Sequence, residues 1–590
     1  MMKEDQVNET IRIWRETPEE DLKPEDYQQF KNLGSACLTR GDNVQLLKFV
    51  QDEKNQGIVK SMGCVLMAPL VNEVVKKGTS LDPCQAAITH LTSTCRPDEL
   101  LHSLLELIED IDPAAISETV IALVPHLKTV LLRMEGRKAA RVGLVLAALQ
   151  KQLLRLPVPY TQQQEEADEY GLCCCCTALA EFIKSFVEEV KGKDGNSVTT
   201  AEDEELRTEL LKFCMRSLRE PLLEAELNRN RKSSLWIFAT EIMVTLPAIQ
   251  VSLSELLFFS SLKKSTVMDK SQSKESRACL AYLLFVQLIT IDSFPAVFSP
   301  VFVLQCNMEY INELLSSKKE SHLLKGLALY GKSLESVQDN SLPVSLLELK
   351  SFYSVPQKLR QVLTDCPMQH LRESGLQVFQ LFINKLDAEA KHKFFRCMLK
   401  VSNHAGVESY IVKNIKNQVE FSMKPGNANK WFLGEDFLSL LGLVLSLPQG
   451  AETDLLNSMD RIMESLNLLR YLLIRDKEPW SNTDVWEELG RMKDEYLKML
   501  RVCISISRPY YSAELKALRE DQKLKAKEAR DAARSTRLVK SLTVKHENVS
   551  DMSPEVQHQV LQSALVTFDL MESLIVRIEE ITEEKLKIQN

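Results

Sequence analysis

Apolar residues recur at helical spacing along almost the whole chain, and this period constrains the fold more than any single motif. From Pro97 the chain reads P-D-E-L-L-H-S-L-L-E-L-I-E-D. Leu101, Leu104, Leu105 and Ile108 fall at i, i+3, i+4 and i+7, which is one face of a helix. Asp112-Pro113 then supplies a cap and a first-turn proline. A second helix is predicted on Ile116, Val120, Leu123, Leu127 and Leu131, kinked at Pro125, where a backbone donor is missing. A third follows Gly136 and carries Val142, Leu146, Leu149 and Leu153 before Pro157. The same grammar continues, with punctuation at Pro221, Asp339-Asn340, Pro367, Gly406 and Pro448. No run of alternating strands joined by hairpin turns interrupts it.

Composition agrees. The 590 residues contain only 19 glycines, well under the usual ~7%, and scarce glycine favours helix. The chain is too long for one compact core. Each helix pair carries more apolar surface than it can bury alone, and burying one Leu or Ile contributes roughly 1.5–3 kcal/mol. Stacked pairs therefore gain from one another. The predicted fold is all-α, an α-solenoid of HEAT or armadillo type with degenerate repeats.

Three stretches are expected to be divided by polar breaks: residues 1–191, 192–290 and 291–590. Segments 192–203 and 263–275 read as polar surface loops. Residues 514–545 are rich in Lys, Arg, Glu, Asp and Ala, and are expected as an exposed helix or partly disordered loop. Ser553-Pro554 starts a long helix with a broad apolar face from Val556 through Phe568 to Ile578.

Charge and cysteine usage narrow the function. With 73 basic and 82 acidic residues the net charge is −9, which provides no global pull toward nucleic acid or acidic membranes. The basic cluster Lys523, Lys525, Lys527, Arg530, Arg534 and Arg537 is interleaved with acids and lacks aromatics, so nucleic acid is not expected as a partner. The polar, acid-containing N-terminus does not read as a secretory signal. The most apolar run, Ala281 to Ile291, includes Gln287 and is broken by Asp292, Pro295 and Pro300. A membrane span needs about 20 apolar residues, so no insertion is expected. Most of the 14 cysteines stand singly among apolar neighbours. They read as buried thiols of a reducing, cytoplasmic compartment.

Two motifs suggest chemistry and fail on their surroundings. G-L-A-L-Y-G-K-S, Gly326 to Ser333, fits the phosphate-binding pattern G-x-x-x-x-G-K-[ST]. That loop must follow a strand and point free amides at the anion. Here Ser317-x-x-Glu320 resembles a capping box. Leu323, Leu327, Tyr330 and Leu334 then recur at helical spacing, so the amides are expected inside a helix, with Lys332 facing solvent. The run Cys173-Cys174-Cys175-Cys176 cannot converge on one tetrahedral metal, because helical neighbours point about 100° apart. Core packing with one or two exposed thiols is expected. The nine histidines form no zinc spacing, and no G-x-S-x-G occurs. No enzyme activity, cofactor or metal is expected.

What remains is a large helical surface for binding. Ser402 to Glu420 packs Ile411, Ile415 and Val419 inward and places Tyr410, Asn414 and Asn417 on a neighbouring polar stripe. N-K-W-F adds Lys430 and Trp431 near a turn. Aromatic rings beside uncharged polar groups resemble interface anchors, so these five residues are the candidate partner contacts.

Longer strings carry a resemblance. L-P-V-P-Y from Leu156, Y-G-L-C from Tyr170 and L-L-K-F-C from Leu210 are joined by S-N-H-A-G-V-E from Ser402 and N-I-K-N-Q from Asn414. Further on come N-K-W-F from Asn429, G-A-E-T-D-L-L from Gly450, D-R-I-M-E-S-L-N-L-L-R-Y-L from Asp460 and S-A-L-V-T-F-D-L-M-E-S from Ser563. These strings resemble the glomulin family of FKBP-associated proteins over nearly the whole chain, least in 514–545. The resemblance implies a HEAT-like, non-enzymatic regulator. Its C-terminal region would bind the RING domain of the RING-box subunit of cullin–RING ubiquitin ligases and mask the surface that recruits the E2. FKBP immunophilins would be further partners. The alternatives are a general HEAT scaffold acting through immunophilin or receptor partners, and a nucleotide-binding protein.

Overall fold

The computed structural model describes residues 4–77, 82–191, 200–227, 231–259, 274–475, 483–534 and 554–589. Among these the protein is all-α. There is no strand, and a single parallel bridge joins Leu342 to Leu386. The chain forms two compact units, Met1–Ser336 and Val337–Asn590. The sequence divisions at 191 and 290 fall inside the first unit. There, helices on either side of each division pack together: Leu172–Val190 on Ala201–Arg219, and Lys274–Phe285 on Pro300–Leu315.

Within the first unit helices stack on their sequence neighbours. Pro97–Glu109, Ile116–Leu132 and Lys138–Leu153 form one such layer, and Lys138–Leu153 passes the stack on to Ala201–Arg219. This nearest-neighbour packing is the solenoid logic expected from the sequence. The local rules also hold. Asp112 accepts a hydrogen bond from the amide of Ala114 at a short 3-10 turn, Pro113–Ala115. Ile116–Leu132 then runs on through Pro125 as one helix. Leu101, Leu104 and Ile108 are buried, but Leu105 is only half-buried and Leu100 and Leu107 join the core instead. Loop segment 192–203 ends earlier than expected, because Thr200 and Asp203 form a reciprocal capping box at the start of Ala201–Arg219. Residues 192–199, 260–273 and 535–553 lie outside the described residues, and with them most of the expected loop 263–275 and the end of the charged segment 514–545, whose residues 514–534 are helical within Thr483–Arg534.

Three helical stretches, Glu53–Lys76, Pro113–Leu132 and Glu555–Glu584, are long and apolar enough to cross a membrane by length and composition. The sequence pattern predicts apolar helices at the second and third of these, but no stretch of this apolar length. Half or more of the first two is buried inside the protein, where their apolarity serves core packing.

The phosphate-loop match is helical throughout. Gly326 to Ser333 lies inside Glu320–Glu335, so its amides bond along the helix. Lys332 is exposed and pairs with Glu335. Gly326 lets this helix approach Pro300–Leu315: a Cβ at that position would meet Cβ of Leu314 at 2.9 Å. The predicted capping box does not form. The N-cap is Lys319, without a side-chain cap, and Ser317 instead accepts from the amide of Lys319. Cys173, Cys175 and Cys176 are buried and Cys174 is exposed, while both carboxylate oxygens of Asp168 accept the free amides of Cys173 and Cys174.

Lys325, beside that glycine, is buried. Its ammonium donates to the carbonyl of Ala225 and lies 5.5 Å from the ring centre of Tyr282. Burial lowers its pKa to about 8, whereas an unfolded lysine titrates near ~10.4. Between these values the unfolded chain binds more protons, so stability rises with pH. Urea midpoints measured from pH 8 to 10 should therefore climb more steeply in the native chain than in Lys325→Met. Equal slopes would exclude this lysine as the cause.

Candidate protein-binding surface

Four of the five expected contact residues gather around the helix Ala405–Ser422 and the short helix Lys430–Leu433 as two small clusters with ordered partners. His404 caps the longer helix, its Nδ1 accepting from the amide of Val407. Ile411, Ile415 and Val419 are fully buried, as their spacing predicts. The Tyr410 hydroxyl donates to Oε1 of Gln380 at 2.5 Å, and its ring lies 6.2 Å from Phe379. Partial burial raises the Tyr410 pKa, which keeps it a neutral donor.

Asn414 differs from expectation. It is 2% exposed and so is no surface residue. Its Nδ2 donates to the carbonyl of Tyr410, and its Oδ1 accepts from Nε2 of Gln380, both at 2.9 Å. The helix is covered on two sides, by Leu455–Ile474 and by helices that precede it, and the Asn414 side chain is met there by Gln380 of Gln369–Lys385. Asn417, by contrast, is exposed. Asn414→Ala should therefore act on stability, lowering it by about 1 kcal/mol through loss of its buried hydrogen bonds to Gln380 and the Tyr410 carbonyl. A denaturant midpoint unchanged from the native chain would contradict that role.

The second cluster is built on Asn429, whose Oδ1 accepts from the amide of Phe432 and whose Nδ2 donates to Ser422. This starts Lys430–Leu433 and turns Trp431 onto His392, with ring centres 5.4 Å apart. Trp431 is half-buried, not fully exposed. His392 is buried, and burial lowers its pKa. The neutral ring donates through Nε2 to the carbonyl of Asp436 at 2.9 Å. Lys430 is exposed, lies 4.6 Å from the Trp431 ring centre and reaches Asp436 at 4.0 Å. A chain of ring contacts links the clusters, from Tyr410 through Phe379, Phe394, Phe395 and Phe432 to His392 and Trp431.

A larger surface was not recognised in the sequence. The helix Thr483–Arg534 lies against Pro554–Gln589, joined by Arg501–Glu579 and by Arg508 to Asp569 and Glu572. Leu500, Cys503, Ile504 and Leu515 face the core. On its outer side Met499, Val502, Ile506 and Tyr510 are 38%, 40%, 56% and 61% exposed. Their spacing of three, four and four residues makes one apolar stripe down about three turns. A contiguous apolar strip of this kind is a mark of an interaction surface.

Stacked helices whose polar side chains are occupied in packing, and whose outer surface presents rings and an apolar stripe, define a helical-repeat protein that binds other proteins. A sequence profile described as "Uncharacterised protein family, YAP/Alf4/glomulin" matches residues 2–564. The chain is 44% identical to human (Homo sapiens) glomulin over 583 residues, covering 96% of each chain. It is 43% identical to mouse (Mus musculus) glomulin over 582 residues, again covering 96% of each. The chain belongs to the YAP/Alf4/glomulin family. A solved structure titled "Circular tandem repeat protein with novel repeat topology and enhanced subunit contact surfaces" overlaps 99% of this chain and 97% of its own. Its identity is 13% and its TM-score 0.17, too low to bear on the fold.

Proposed function

We propose that this chain is a cytoplasmic inhibitor of cullin–RING ubiquitin ligases. It binds the RING domain of the RING-box subunit and covers the surface that recruits the E2. The observation that carries this reading is the apolar stripe of Met499, Val502, Ile506 and Tyr510 on the second unit, in a chain that is 44% identical to human glomulin. The E2-binding face of a RING is a shallow apolar patch with a polar rim, so a rigid helical wall of matching polarity suits it. A stable contact needs roughly 1,000 Å² or more in total, more than the stripe alone supplies. Tyr410, Asn417, Lys430 and Trp431 are the further contact residues in this reading. Asn414 sits behind them and holds Tyr410. FKBP immunophilins are further partners of the same scaffold.

Inhibition then follows from mutual exclusion, because both ligands need one site. The test is competition. Purified chain should displace an E2 from a RING-box subunit and stop discharge of its ubiquitin, with E2 and chain never bound together. A ternary complex of chain, RING and E2 would overturn the masking mechanism.

A further inference from the structure

A cleft in the first unit plays no part in the function proposed above. It has a volume of about 200 Å³ and opens among the helices Lys138–Leu153, Leu172–Val190, Ala201–Arg219 and Ser234–Ala248. Exposure separates its floor from its mouth. Gln150, Leu153, Leu179, Ser217 and Phe238 are all buried. Leu154 is 54% exposed, and Glu220 and Glu224 are partly exposed. Glu224 pairs with Lys319, and Glu220 lies 3.9 Å from Arg219.

One polar group at the floor is left unmet. Gln150 is 7% exposed, and its Nε2 donates to the carbonyl of Phe213 and to Oγ of Ser217, both at 2.9 Å. The Phe213 carbonyl can only accept, which sets the orientation of the amide. Its Oε1 is then buried without a donor. A buried acceptor with no donor is unfavourable, and a ligand carrying a donor into the cleft relieves it.

We propose that this cleft binds a compact aromatic ring bearing one N–H donor, of the indole type. The ring packs on Leu153, Leu179 and Phe238, and the N–H donates to Oε1 of Gln150. An indole has a donor and no acceptor, so it brings no new unmet group to these walls. A hydroxyl would bring an acceptor, and an ammonium would bring a charge to the floor beside Gln150, where, among the described residues, no carboxylate is present to offset its burial. The size fits one side chain or fragment, below the roughly 300–1,000 Å³ of drug-sized ligand pockets. Such a ring is presented either by a tryptophan of a partner peptide or by a free indole.

Isothermal titration of the full chain tests this with four probes. Indole should bind saturably. 1-Methylindole, which lacks the donor, should bind at least about tenfold more weakly. Indole-3-acetate should also be weakened, because its carboxylate meets Glu220 and Glu224. N-acetyltryptophanamide binding more tightly than indole identifies a peptide as the source, and its exclusion identifies the free small molecule. Leu154→Trp fills the mouth at an exposed position and should abolish indole binding without moving the melting temperature. Equal affinity for indole and 1-methylindole, indole binding that survives Leu154→Trp, or no saturable indole binding would each overturn the proposal.

Discussion

Arg461→Met should destabilise the second unit by about 3–5 kcal/mol, the usual result of removing one partner of a buried ion pair. Arg461 and Glu408 are 7% and 6% exposed, and Nη1 of the arginine lies 2.9 Å from the carboxylate. Its Nη2 donates to the carbonyls of Leu443 at 2.9 Å and Ser446 at 3.2 Å. One guanidinium thus ties together the helices Ala405–Ser422, Glu435–Val444 and Leu455–Ile474. Methionine fills much of the same volume but leaves Glu408 as a buried, uncompensated charge. The double variant Glu408→Leu/Arg461→Met should recover at least half of the loss, because a pair replaced by apolar groups is often close to neutral. Denaturant unfolding followed by circular dichroism measures both. A single variant as stable as the native chain, or a double variant no better than the single, would exclude the buried charge as the cause.

The second large effect concerns binding. Ile506→Asp places a carboxylate in the middle of the stripe formed by Met499, Val502 and Tyr510. Ile506 is 56% exposed, so the fold should be altered by no more than about 0.5 kcal/mol. Against a RING the same carboxylate would be desolvated without a partner. Losses at the centre of an interface reach about 2–4 kcal/mol, and every 1.4 kcal/mol is about tenfold in affinity. The expected result is at least about a hundredfold loss of RING binding and of E2 displacement. Ile237→Asp is the control. That residue is 51% exposed on the first unit, and its replacement should leave E2 displacement intact. If Ile506→Asp still displaces the E2 at native concentrations, the stripe is not the contact. If the native chain fails to bind the RING at all, the proposed function itself falls.

The stripe shows where sequence patterns lose their power. Met499, Leu500, Val502, Cys503, Ile504 and Ile506 are all apolar, so both arcs of the helix look equally fit for a core. Period alone then cannot tell which arc is covered. The distinction comes from neighbours distant in sequence: Pro554–Gln589 on one side and the Gly450–Glu452 turn, whose carbonyls accept from Cys503. Asn414 illustrates the converse. Beside Ile411 and Ile415 it reads as the polar edge of a helix, and Gln380, from a helix packed against it, makes it interior. His392, Lys325 and Gln150 were equally illegible, since nothing local marks a buried polar residue until its acceptor arrives from elsewhere.

Local rules settled much of the rest. The helices around Leu101, Val120 and Leu146, the helical state of Gly326 to Ser333 and the divergence of the four thiols from Cys173 to Cys176 depend on residues within a few turns of one another. Hydrogen bonding along a helix and the 3.6-residue period act at that range. They are therefore written in the order of the amino acids. Which apolar arc stays in solvent, which amide loses its water and which acceptor is left without a donor depend on helices that meet across tens of residues. Burial is a property of the assembled stack. The sequence alone determined that this chain would be a helical stack, while the tertiary structure decided which of its surfaces could bind anything.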